Sequence, residues 1–93
     1  MAESIFEDRV PEAAARQLAI VLAWIAECEL ATLEYYRRTK SAPRHELKRH
    51  EGICKTLVYQ CADLKIPARG MGGKPCPRLA EAMNAPQPLS DPA

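Results

Sequence analysis

Between Glu12 and Lys40 apolar residues return every three or four positions, with no Gly or Pro among them, which is the period of a helix. On a wheel of about 100° per residue, Leu18, Val21, Leu22, Ile25, Thr32, Leu33 and Tyr36 gather on one side, with Ala14 and Ala15 at its start. Arg16, Glu27, Glu34 and Arg38 gather opposite. The pattern predicts one amphipathic helix over residues 11–40. Asp8 is placed to cap its start, Pro11 fits a first turn where its missing N–H is not needed, and Arg37, Arg38 and Lys40 suit the negative end of the helix dipole. Two features resist a single stripe. Ile20, Trp24 and Leu30 flank the polar face, so one partner helix cannot cover everything apolar. Glu29 falls near the centre of the apolar side, where a carboxylate is costly unless paired; His50 or a base from a second copy would serve, but the expected place is a partly exposed one at a helix edge or dimer seam.

A second helix is predicted over residues 44–65, with Leu47, His50, Cys54, Leu57, Val58, Cys61 and Leu64 on its apolar side, Ile53 widening that side and Gly52 weakening the middle. Pro43 closes the break that begins at Thr39, and Pro67 stops the helix. So short a connection implies an antiparallel hairpin in which Cys54 lies level with Cys28 and Glu29, His50 with Leu33, and Leu47 with Tyr36. From Ile66 the character changes, because residues 66–93 hold six of the eight prolines and three of the four glycines. One short helix over residues 77–84 fits there, with Leu79 and Met83 on one side. Docking those two side chains beside Trp24 contributes roughly 3–5 kcal/mol. Ordering the Gly70–Gly73 linker costs about 1–2 kcal/mol per residue, which predicts a weakly held tail. Residues 1–10 form a lead-in in which Ser4 and Glu7 have the spacing of a capping box.

The expected fold is therefore all-α: a two-helix antiparallel hairpin with a short third helix in a Pro/Gly-rich C-terminal tail. Ninety-three residues make one domain, and two helices enclose little core. A homodimer forming a four-helix bundle is expected to supply the rest, with Ile20, Trp24 and Leu30 at the dimer interface. Net charge is +1, which removes any global pull toward nucleic acid or membrane. Local balance differs: residues 1–36 hold seven acids and two bases, and residues 37–55 hold seven bases and two acids. The basic turn, with Arg37, Arg38, Lys40, Arg44, Lys48, Arg49 and nearby Tyr35, is the expected partner-binding surface.

Bases beside an aromatic also suit phosphate contact and base stacking, so nucleic-acid binding is the alternative, although a pI near 7.7 is below that of a typical nucleic-acid binder. A second alternative is a metal-binding bundle using Cys28, His50 and Cys54, residue types that suit zinc. There is no C-x-x-C, and neither helix carries the Glu-x-x-His of di-metal bundles. No cofactor is expected. No nucleophile elbow, phosphate loop or catalytic carboxylate pair occurs, so the chain is not expected to be an enzyme. The longest apolar run, LAIVLAWIA, is far short of the ~20 residues a membrane span needs, and the acidic start lacks a signal-peptide pattern. A cytoplasmic setting with reduced thiols is expected, with Cys76 as the most exposed thiol. The function that fits is a small non-enzymatic protein–protein interaction module, acting as an adaptor or as an inhibitor or regulator of a larger macromolecule.

Overall fold

The computed structural model describes residues 11–85; the lead-in with Ser4, Glu7 and Asp8 and residues 86–93 lie outside them. It is all-helical: α1 (Glu12–Thr39), α2 (Arg44–Asp63) and α3 (Pro77–Asn84), with a 3-10 turn at Met71–Gly73. Among the described residues there is no strand, only one isolated bridge between Arg69 and Pro75. α1 and α2 form the hairpin, and α3 packs against both.

Left-handed lysines end both long helices. Lys40 (φ 54°) donates its N–H to Tyr36 O at 2.8 Å and turns the chain out of α1. Lys65 (φ 57°) does the same for α2 and sets up two reversed bonds, Ile66 N–H to Cys61 O at 2.9 Å and Lys65 N–H to Ala62 O at 3.1 Å. This is the Schellman arrangement, and its hydrophobic contact is the buried pair Ile66 and Cys61. It closes α2 at Asp63, before the residue 65 expected from Pro67.

The core gathers Ala23, Ala26, Leu30 and Leu33 from α1, Cys54 and Cys61 from α2, Ile66 and Cys76 from the connection, and Leu79 from α3. α1 therefore buries a sector about 100° round from its most apolar side. The reason is that α1 has two neighbours. Small residues such as Ala23 and Ala26 let other backbones approach, while Leu18, Val21 and Ile25, which hydropathy marks for burial, stay 64%, 37% and 46% exposed.

The C-terminal segment takes part in the core. Gly70 N–H to Lys74 O (2.7 Å) and Cys76 N–H to Ala68 O (3.0 Å) close the connection into a tight loop. That loop lies on Trp24 so closely that a Cβ at Gly70 would stand 2.3 Å from Trp24 Cε3. Only glycine fits there, although its φ of −100° is open to any residue. Leu79 is fully buried. Glu27 accepts hydrogen bonds from Leu79 N–H and from Arg78 Nη1, both at 3.0 Å. The near-zero balance expected for the tail omitted Ile66, Cys76 and this carboxylate.

Candidate functional site

With α3 and the 66–76 loop on one side of the hairpin, the opposite side is open. α1 contributes Leu18, Val21, Ile25 and Glu29 to it, α2 contributes Ile53 and Leu57, and Leu64 just past its end is 63% exposed. Part of this face is a shallow trough lined by Ile25, Glu29, Arg49, Gly52, Ile53, Thr56 and Leu57. Nothing lies within 4 Å of where a Cβ at Gly52 would stand, so its floor is open there. Ile25, Ile53 and Leu57 share this trough with Glu29, Arg49 and Thr56, and apolar surface rimmed by polar residues suits docking.

Glu29 and His50 meet beside the trough. Glu29 Oε1 lies 3.4 Å from His50 Nδ1, yet neither atom is aligned for a hydrogen bond, and both are buried without a hydrogen-bond partner. The Tyr36 ring covers His50 with centroids 5.1 Å apart. Buried polar atoms are nearly always partnered, so this pair is an unmet demand at the edge of an open surface.

The basic turn is partly neutralised from within. Arg37 Nη2 pairs with Glu51 at 2.8 Å, and Arg49 Nη2 pairs with Glu46 at 2.8 Å. The hydrogen bond and charge of Arg49 hold the Glu46 carboxyl below its ordinary value. Arg38 lies over the Tyr35 ring, 5.7 Å from its centroid. Among the described residues Arg38, Lys40, Arg44 and Lys48 form no salt bridge, so four of the six expected cations are available at this end.

Of the proposed seam residues, Leu30 is 7% exposed in the chain's own core, Trp24 lies under Gly70, and Ile20 lines a cleft with Pro67, Arg69 and Gly70. The cysteines also differ from expectation. Cys76, expected to be the exposed thiol, is 1% exposed because its backbone is bonded into the loop and its side chain into the core; Cys28 is the exposed one. Cys28 therefore does not join His50 and buried Cys54, and among the described residues no three His, Cys, Asp or Glu side chains are grouped to hold a metal ion. No described helix is long and apolar enough to cross a membrane.

Burial, with a smaller contribution from Glu29, pushes the Cys54 thiol up to about 11, and burial raises Cys61 and Cys76 as well. Thiolates are the reacting species. Iodoacetamide at pH 8 is therefore expected to label native protein once, at Cys28, and denatured protein four times; native labelling of Cys76 at the rate of Cys28 would refute the packed loop. Folded thiol values above the ordinary 9.0 also set a sign: this contribution to stability is whole below about pH 9 and is lost as pH rises toward 11.

No protein-family model, curated protein or solved structure matches this chain. Sequence reasoning missed Glu27, Arg78 and Gly70. The available signal was a lone carboxylate among Ala23, Ala26 and Leu30, and a base placed in the first turn of a Pro-started helix.

Proposed function

We propose that this chain is a small non-enzymatic protein–protein interaction module, acting as an adaptor or as an inhibitor or regulator of a larger macromolecule. The observation that carries this reading is the open hairpin face, with Leu18, Ile25 and Leu64 at 64%, 46% and 63% exposure while the other side is covered by α3. Such a protein works by occupying a surface. Apolar side chains on rigid helices supply contact area at small entropic cost, and the four available cations at the turn add an electrostatic element that favours acidic partners.

Nucleic-acid binding through Arg38, Lys40, Arg44, Lys48 and half-exposed Tyr35 is the weaker reading, because Arg37 already holds Glu51 across the hairpin and the net charge is only +1. Photo-crosslinking residues placed at Ile25 and, separately, at Arg38 test both in the native host. A discrete protein adduct at position 25, lost when Leu64→Glu is added, is the expected result. Absence of any adduct at position 25 would refute the face as a docking surface. A nucleic-acid adduct at position 38 would overturn this reading in favour of the other.

A further inference from the structure

The open face carries more than apolar side chains. Its trough holds one acid and one base, Glu29 and Arg49, on opposite walls. Glu29 side-chain exposure is 35%, although its Oε1 is buried and turned toward His50 Nδ1 at 3.4 Å. Arg49 is 59% exposed at its side chain and is held by Glu46 from its own helix.

The hairpin register follows from its turn, where one helix ends at Thr39 and the next begins at Arg44. Glu29 then stands within about 7 Å, along the helix axes, of the level of Arg49. Two long side chains bridge that gap. A two-fold axis running along the hairpin between two copies lays α1 of one over α2 of the other and keeps every residue at its own level. Under that symmetry Glu29 of each copy faces the wall that carries Arg49, Gly52 and Thr56 in the other. Gly52, with open space where a side chain would be, gives the incoming Ile25 room, and Thr56 offers a hydroxyl.

We propose that the occupant of this face is a second copy of the chain, related by a two-fold axis along the hairpin, with Glu29 of each copy paired to Arg49 of the other. The proposal rests on the reading of the face as a docking surface and names its partner. Charge complementarity supports it, since an isologous interface must satisfy its own charges, and here an acid and a base share one trough. Size supports it too. From Leu18 to Tyr36 the face is about 27 Å long, and two helices are about 20 Å wide. That gives roughly 550 Å² before side-chain relief is counted, the order of the ~800 Å² per partner of a specific interface. The relevant seam is then Leu18, Val21, Ile25, Ile53, Leu57 and Leu64, about 80° round α1 from Trp24. The same symmetry brings both turns to one end, so the four available cations of each copy form a single bivalent surface for an acidic macromolecule.

Sedimentation equilibrium of the full chain tests this, with circular dichroism to confirm that each variant stays helical. Wild type is expected to run at twice its monomer mass, with a dissociation constant at least tenfold weaker in Ile25→Glu. Glu29→Arg alone and Arg49→Glu alone place like charges across the seam and are expected to run as monomers. An equimolar mixture of the two variants restores both opposite-charge pairs and is expected to run as a dimer. A wild-type monomer at millimolar concentration overturns the proposal. So does a mixture that stays monomeric while wild type dimerises, because the seam is then elsewhere. A monomer that still gives the position-25 crosslink to another protein refutes the second copy and leaves the docking surface standing.

Discussion

Replacing Leu79 by alanine lowers the midpoint of thermal unfolding by more than about 10 °C. Leu79 is fully buried and belongs to the same cluster as Ala23, Ala26, Leu30, Leu33, Cys61 and Cys76. Removing its terminal carbons loses their transfer energy and leaves a cavity, together about 2–5 kcal/mol for leucine to alanine in a core. In a domain of this size each kcal/mol corresponds to roughly 4–8 °C. The effect is amplified because α3 has eight residues and is too short to be helical on its own. Once its anchor is gone, the helix loses its reason to form. A melt followed at 222 nm measures the shift, and a change below about 3 °C would show that α3 is not part of the core.

Glu27→Ala is expected to be nearly as harmful, at about 2 kcal/mol, although it removes a charge that looks like surface. Glu27 is 7% exposed. Its Oε1 accepts the N–H of Leu79, one of the donors that every helix N-terminus leaves free, so α1 caps α3 from outside. The carboxylate also sits at the positive end of the α3 dipole. Its Oε2 holds Arg78, whose other nitrogens hold Glu34 at 2.8 and 3.0 Å; Glu34 first, and then Glu27, raise the Arg78 pKa above its ordinary value. Alanine leaves a buried N–H without an acceptor. Glutamine keeps an acceptor and loses the charge, so Glu27→Gln should fall between wild type and alanine in a urea titration. Equal midpoints for the two variants would mean that the Leu79 hydrogen bond contributes nothing.

The three helices were legible because their punctuation is strong. Pro43 and Pro77 start elements through local sterics, and local sterics need no knowledge of the rest of the chain; Pro67 only bounds α2, which the left-handed Lys65 ends at Asp63. The meeting of Glu29 with His50 did not follow from counting, which sets Glu29 level with Cys54 and His50 with Leu33; it depends on two side chains that span a full helical turn. The buried side of α1 was not legible either. Hydropathy weights Leu18 and Ile25 above Ala23 and Ala26, but close approach of two further segments selects small residues. Glu27 reads as polar surface until Arg78 and Leu79, more than fifty positions later, arrive to use it. Cys76 reads as exposed because prolines surround it, and the bond from its N–H to Ala68 O depends on a loop shape that composition does not encode. The open face was visible as an apolar stripe, but the side left uncovered depended on where α3 lands.

The separations of these ties also set an order of events. Arg37 and Glu51 are 14 residues apart, while Arg78 lies 51 residues from Glu27. Closing the nearer contact restricts a shorter loop, so the hairpin zips first and the third helix docks last. On a ribosome making the chain from its N-terminus, the flank of Ala23, Ala26 and Leu30 stays bare until residues 77–84 have emerged. Throughout that interval the nascent hairpin shows apolar surface on both sides. Late docking also means that damage to Leu79 or Glu27 mainly hastens unfolding and leaves the refolding rate nearly untouched.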